Sequence, residues 1–254
     1  MKRCLSIIGM VLLFSAACGQ SFLHLTSRDG LPDNHARFVY QDSSGYIYVG
    51  TRIGLCRYDG YVFSTAEYRD PLHVPPREFS AMIQAEQGFF AVAATGIYAY
   101  NRFENSLSLM KRMQLLDEAC FAVYRDKVYC GNSAGLFMLD SASHTWIQKN
   151  DLVAGIDNIH VRTLLMTRSG ELLIGTNKGM FRYNLDMELV HADLGSDPFY
   201  HDINGIIQDA SGHTWVSTYS NLYRLDTAYQ KVSDYRARFA EEHIRCIERD
   251  EQQR

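Results

Sequence analysis

The stretch LLIGTNKGMFRYN, from Leu172 to Asn184, decides the fold. An apolar run leads into Gly-Thr, two variable residues follow, then Gly179, then a second apolar and aromatic run. A phosphate-binding loop would end in Gly-Lys-Ser/Thr and open a helix, so that backbone N–H groups and the lysine meet phosphate. Here Lys178 precedes Gly179, and Met180-Phe181-Arg182-Tyr183 has the composition of a strand. The stretch is instead one copy of a repeat. Related segments are YIYVGTRIGLCRYDG (Tyr46 to Gly60), FFAVAATGIYAYN (Phe89 to Asn101), VYCGNSAGLFMLD (Val128 to Asp140) and TWVSTYSNLYRLD (Thr214 to Asp226). Their shared position falls at Gly54, Gly96, Gly135, Gly179 and Asn221, in steps of 42, 39, 44 and 42 residues. Both Gly and Asn tolerate positive φ, so a tight turn is the expected reason for this position.

A period near forty, with four short strands in each unit, is the signature of a propeller blade. Within Val161 to Ala192 the pattern predicts an inner strand near 161–166, the turn TRSG, a second strand ELLIGT, a third MFRYN and an edge strand MELVHA. The other inner strands are expected near 36–41, 79–84, 120–124 and 203–208, with almost no helix after residue 20. The expected fold is therefore all-β: a β-propeller of four-stranded antiparallel blades, five complete blades and the start of a sixth. The first turn of the repeat recurs as QDSSG (41–45), AEQG (85–88) and QDASG (208–212). An Asp at such a turn accepts a hydrogen bond from the backbone two residues on, and the closing Gly takes the left-handed position, so Asp42 and Asp209 are read as turn formers. DASGHTW (209–215) has two residues between Asp and Gly where the Asp-box of sialidases has one, and the rest of a sialidase site cannot be assigned.

The chain has 254 residues with a formal net charge of −4, 16 Tyr and 13 Phe. This balance is wrong for a nucleic-acid-binding surface, so no nucleic acid is expected as a partner of this region. Residues 1–20 have the form of a signal peptide: Lys2 and Arg3, an apolar run from Leu5 to Phe14 too short for an ordinary membrane span, then Ser15-Ala16-Ala17. Cleavage near Gly19 or Gln20 fits better than lipidation at Cys18, because Ser15 stands where a lipoprotein signal usually has Leu. Residues 21–254 form the repeat region. Periplasmic localisation follows from export. Removing the signal leaves Cys56, Cys120, Cys130 and Cys246, whose spacing matches no zinc site. Cys120 and Cys130 flank a hairpin, where they either pair in an oxidising compartment or serve as small buried hydrophobes; the second reading is preferred.

The pattern D-x-x-G-x-[LIT]-[WY]-[IV]-[GS]-T-x-x-G-[LI]-x-x-[YF], carried here by QDSSGYIYVGTRIGLCRY and QDASGHTWVSTYSNLYRL, resembles the two-component regulator propeller repeat. The opening SFLHLTSRDGLPDNHARFVYQD (21–42) is similar to the start of the periplasmic sensor region of hybrid two-component systems. Blade 3 departs most, since DKVYCGNSAGLF lacks the D-x-x-G turn and the Thr. The resemblance implies an extracytoplasmic sensor of an oligosaccharide or other small periplasmic ligand. It also implies a partner in the remainder of the sensor kinase, a histidine kinase when whole. The family's membrane helix, kinase, receiver and DNA-binding modules have no counterpart here. HIRCIERDE (243–251) parallels HVRTLLMTR (160–168), so a sixth blade is expected to begin and the ring to be incomplete. Such a ring exposes two blade faces, which makes a homodimer a further expected partner.

Inner strands converge on the channel mouth, and one position of each falls in register. Arg37 stands thirteen residues before Gly50, Arg162 thirteen before Gly175, and Asn204 thirteen before Ser217. Arg245 follows from matching HIRCI to HVRTL; Ser80 and, nearest, Cys120 take the place in blades 2 and 3. Guanidinium and amide groups around a mouth suit a carboxylated or sulfated sugar. Recurrence in one register favours the other reading, a structural tie between neighbouring blades through backbone carbonyls, because ligand sites tend to break repeat symmetry. Phe199, Tyr200 and His201, in the insertion 195–202, and the insertion 69–78 are the least repeat-like segments, where specificity usually resides. Trp146 and Trp215 are expected to pack within or between blades. The nine histidines are scattered, with no His-x-His or His-x-x-Glu-His run, so neither catalytic nor metal-binding residues are assigned and no cofactor is expected. A non-catalytic sensor is expected over a propeller glycosidase or lyase, or a protein-binding scaffold.

Overall fold

The computed structural model describes residues 23–69, 75–113, 119–124, 127–149, 159–183, 189–192, 202–219, 221–239, 244 and 246–248. The signal segment lies outside them. Blade 1 comprises β1 (Ala36–Gln41), β2 (Ile47–Thr51), β3 (Leu55–Tyr58) and β4 (Phe63–Thr65), and a short β5 (Glu67–Tyr68) follows. Blade 2 comprises β6 (Ala81–Ala85), β7 (Gly88–Ala93), β8 (Gly96–Asn101) and β9 (Ser106–Arg112). Blade 3 comprises β10 (Cys120–Tyr124), β11 (Lys127–Asn132), β12 (Gly135–Asp140) and β13 (Thr145–Gln148). Blade 4 comprises β14 (Val161–Met166), β15 (Leu172–Thr176), β16 (Gly179–Tyr183) and β17 (Leu189–Ala192). Blade 5 comprises β18 (Ile203–Gln208), β19 (Thr214–Thr218), β20 (Leu222–Leu225) and β21 (Lys231–Asp234). Each blade is an antiparallel meander in chain order. The expected five blades and their inner strands are all present. The described helices are a 3₁₀ turn at Ser27–Asp29 and one α turn, α1, at Arg236–Phe239.

The second strands are the most buried of each blade because both of their faces are covered. All five residues of β15 are buried. Strand alternation sends Leu172 and Ile174 into a cluster with Tyr129 and Leu136 of blade 3, and Leu173 into a cluster with Ile206, Val216 and Tyr223 of blade 5. Phe89 and Ala91 likewise face blade 1, while Phe90 and Val92 face blade 3. Trp146 is buried in that second interface, edge-on to Phe90 with ring centroids 5.6 Å apart, so its expected inter-blade packing holds. Successive inner strands touch from β1 to β6, β10, β14 and β18. Among the described residues the ring is not closed. Of the expected sixth inner strand, Ile244 docks on blade 5 by donating its N–H to the Tyr219 carbonyl, at 3.2 Å.

The repeat's turns are built as their chemistry predicts, with additions. Asp209 Oδ1 accepts from the backbone N–H of Ser211 and His213 (2.9 and 3.0 Å), and Asp42 Oδ1 from Ser44 and Tyr46 (2.9 and 3.0 Å). The other carboxylate oxygen takes the polar tip of an aromatic six residues on: Trp215 Nε1–H at 3.0 Å in blade 5, Tyr48 O–H at 3.2 Å in blade 1. Trp215 also stacks on Tyr235. The Thr of Gly-Thr closes the next turn, with Thr176 Oγ1 donating to the Gly179 carbonyl at 2.8 Å and Thr51 Oγ1 to that of Gly54 at 2.8 Å.

Positive φ explains the shared glycine at Gly179 (φ 108°) but not at Gly54, which lies outside the left-handed region. Asn221 has its own reason for being there. It is fully buried, its Oδ1 accepts from Leu222 N–H at 2.7 Å, and its Nδ2 donates to Tyr223 Oη and to Asp234 Oδ1.

Cys120 and Cys130 do not pair. Cys120 stands opposite Gly131 and Cys130 opposite Phe121, so alternation points them to opposite faces of the blade. Cys120 packs toward blade 4 and Cys130 toward blade 2. Both, with Cys56, are free thiols.

Candidate functional site

The register position on the inner strands is a β-bulge. In β1 the pairing skips from Ala36 to Phe38, in β14 from Val161 to Thr163, and in β18 from Ile203 to Gly205. The extra residues are Arg37, Arg162 and Asn204. A bulge removes one residue from the ladder and re-aims its side chain, which lets a polar group stand there without breaking the pairing on either side. In blade 3 the equivalent residue is Ala119, not Cys120, because Cys120 opposes Gly131 as Phe38 opposes Gly50.

Each bulged side chain reaches the next blade. Arg37 Nη1 meets Glu78 Oε2 at 3.3 Å. Arg162 Nη2 meets Asp202 Oδ1 at 3.2 Å, and its Nη1 donates to Asn204 Oδ1 at 3.3 Å. Asn204 Nδ2 then donates to the Ile244 carbonyl at 3.1 Å. A tie between blades is present at all three positions, but through a backbone carbonyl only at Asn204; Arg37 and Arg162 reach side chains of the next blade instead. Glu78 and Asp202 were not singled out from the sequence, yet each stands two residues before the register position of its blade. That shared spacing is the signal that would have found them. Glu78 also holds a left-handed backbone (φ 56°), with its N–H on the Arg52 carbonyl at 2.8 Å. The side chains of both pairs are one-third to one-half exposed, so each pair contributes about 0–1 kcal/mol.

Beside Arg37 lies an open concavity of about 570 Å³ lined by Asn34, His35, Ala36, Arg37 and Arg52. Register explains the grouping: Ala36 opposes Thr51, so Arg52, the residue after β2, comes out beside His35, and Arg37 follows Ala36 on the same strand. Asp33 supports this wall. Its Oδ1 accepts from the His35 ring at 3.1 Å and the His35 N–H at 3.2 Å, and its Oδ2 faces Arg52 Nε at 3.4 Å. The His35 hydrogen bonds, ring first, hold the Asp33 carboxyl below the usual carboxylate range.

Arg245, Phe199, Tyr200 and His201 lie outside the described residues, as do 70–74 and 195–201 of the two insertions. Among the described residues no group of three or more His, Cys, Asp or Glu is placed to hold a metal ion, and no helix is long and apolar enough to cross a membrane.

Residues 30–52, which run from the first 3₁₀ turn through β2 and carry the whole concavity lining, match the family model described as two component regulator propeller. That match covers 23 of the 254 residues, the length of about half a blade. No curated protein matches the chain. Among solved structures, the five blades are similar to the extracellular domain assigned to hybrid two component system BT3049 of B. thetaiotaomicron. That match has 18% identity and a TM-score of 0.67, and covers 83% of this chain and 31% of that one. They are similar as well to the extracellular domain of BT4673 from the same organism, at 17% identity and a TM-score of 0.66, covering 83% and 28%. The chain thus spans less than a third of the length of these two structures. Virginiamycin B lyase of Staphylococcus aureus shares the blade architecture at 9% identity and a TM-score of 0.61, covering 84% and 72%. At these identities the likeness is one of fold.

Proposed function

We propose that the regulator propeller blades are the extracytoplasmic ligand-sensing region of a hybrid two-component system, and that they bind an oligosaccharide or another small periplasmic ligand. The observation that carries this reading is the two component regulator propeller match over residues 30–52, the segment that also forms the charged concavity. The signal-like residues 1–20 and the extracellular origin of the two B. thetaiotaomicron neighbours support export. The partner is the rest of a sensor kinase, and a homodimer is a second partner state. A ligand shifts such a receptor only by the difference in its affinity for two conformations. Inter-blade ties worth at most about a kilocalorie each can be exchanged for ligand contacts at small cost.

Calorimetric screening of the purified chain against an oligosaccharide panel, beside a hydrolysis assay on the same panel, tests this. Saturable binding without turnover supports sensing. Product released from any bound oligosaccharide refutes it in favour of a propeller glycosidase or lyase, and no binding to any saccharide refutes the ligand class.

A further inference from the structure

We infer that the concavity at the mouth of the first blade is an oxyanion subsite, which takes the carboxylate or sulfate group of an acidic saccharide through Arg37 and Arg52. The inference rests on the sensing reading for the saccharide, and on the site's own geometry for the charge.

Three observations carry it. First, every charged or titratable side chain in the lining is basic: His35, Arg37 and Arg52. The acids that balance them, Asp33 and Glu78, are not part of that lining. Second, each guanidinium is anchored through a single nitrogen. Arg37 uses Nη1 on Glu78, and Arg52 uses Nε on Asp33. Among the described residues, Nε and Nη2 of Arg37 and both Nη atoms of Arg52 have no protein partner. An arginine fork oriented at one point and open elsewhere is arranged to bind a planar or tetrahedral oxyanion bidentately. Arg162 differs, because Asp202 and Asn204 occupy both of its Nη atoms. Third, the two forks are placed by rigid structure. The bulge turns Arg37 out of the ladder, and the Ala36–Thr51 pairing brings Arg52 to the same end of the strand pair, next to His35, where all three line one concavity. Asp33, only 14% exposed, then holds Arg52 and His35 together. Preorganisation of this kind lowers the ordering cost of binding. Asn34 adds an amide in the lining that can meet a sugar hydroxyl.

The test titrates the full chain with sodium sulfate and with D-glucuronate at constant ionic strength set by chloride, and reads backbone amide shifts by NMR. Both oxyanions are expected to bind saturably, to compete with each other, and to move the amides of residues 34–37 and 52. Arg37→Ala and Arg52→Ala should each weaken binding by about tenfold or more, with Arg52→Lys falling between them and the native chain. Arg52 is 60% exposed, so its replacement leaves the fold intact, which a thermal melt verifies. Saturation by glucuronate alone identifies a carboxylate reader, and saturation by sulfate alone a sulfate reader; either supports the subsite. Shifts no larger than those from chloride overturn it. So does undiminished binding in Arg52→Ala, or an equal loss in Arg238→Ala, an arginine on α1 remote in sequence. If a neutral oligosaccharide binds while neither oxyanion does, this inference falls and the sensing reading stands. If the oxyanions bind and no saccharide polymer does, the subsite stands and the sensing reading falls.

Discussion

Replacing Gly175 with alanine tests the packing of neighbouring blades at one atom. Gly175 lies in β15, opposite Thr163 and against Ile203, the first residue of the next blade's inner strand. Its φ is ordinary for an L residue, so backbone strain contributes nothing. A methyl group there would stand 2.6 Å from Ile203 Cγ2 and 3.1 Å from Ile203 Cβ, and would also press on Thr163 Cγ2. Carbon atoms prefer about 3.5–4.0 Å, so something must move by roughly an ångström. Ile203 is fully buried and stiff at χ1, which leaves separation of blades 4 and 5 as the outlet. Overpacking of this kind costs about 1–3 kcal/mol, offset by about 0.5–1 kcal/mol from the lower chain entropy of alanine when unfolded. A net loss of about 1–2 kcal/mol is expected in urea unfolding followed by tryptophan fluorescence. Ile203→Ala removes the clashing Cγ2, so the double variant should lose at least about 0.5 kcal/mol less than the sum of the singles. Gly45→Ala is the contrast. Nothing lies within 4 Å of its added carbon, but φ is 89°, so its cost of about 1–2 kcal/mol is conformational and should add to that of Ile203→Ala. A neutral Gly175→Ala, or strict additivity with Ile203→Ala, would refute close blade contact as the reason for glycine at this position.

Asp209→Ala should destabilise the chain by about 1–3 kcal/mol in the same assay, because Ser211 N–H, His213 N–H and Trp215 Nε1–H all lose their acceptor. Burial works against the Asp209 charge, yet the bonds from Trp215, His213 and Ser211 outweigh it and lower its pKa from 3.8. A lowered folded pKa stabilises above the unfolded value and loses that contribution as pH falls through the folded one. Stability should therefore drop below about pH 4, and less steeply in Asp209→Asn, which an acid titration of circular dichroism checks. Burial pushes the Cys120 thiol up to about 12 and Cys56 up to about 11, so Ellman's reagent at pH 8 should label exposed Cys246 rapidly, and Cys56, Cys120 and Cys130 only on unfolding. Tyr229→Phe should cost about 1–2 kcal/mol by removing the hydroxyl that donates to Glu171 Oε2 at 2.6 Å across the blade 4–5 interface, which urea unfolding measures.

The inner strands and the turns at Asp42 and Asp209 follow from interactions a few residues long. A two-residue alternation, a Gly-terminated turn and a Thr that closes a loop are local, so a forty-residue period in sequence becomes a forty-residue period in space. The same locality explains why Arg37, Arg162 and Asn204 share one register in the sequence. What those side chains do depends on the blade beside them. Only the packed structure shows that Glu78 and Asp202 meet the bulged arginines, since those pairs are about forty residues apart in the chain. It alone shows that Gly175 is required by Ile203, that Gly54 does not need a left-handed backbone, and that Cys120 and Cys130 face opposite neighbours. The concavity was likewise invisible in sequence. Asn34, His35, Arg37 and Arg52 converge because strand pairing folds 36 onto 51, and Asp33 then draws His35 and Arg52 to one carboxylate. Sequence periodicity specifies strands and turns because their contacts are near neighbours; which faces meet, and which charges they bring together, is settled by the stacking of one blade on the next.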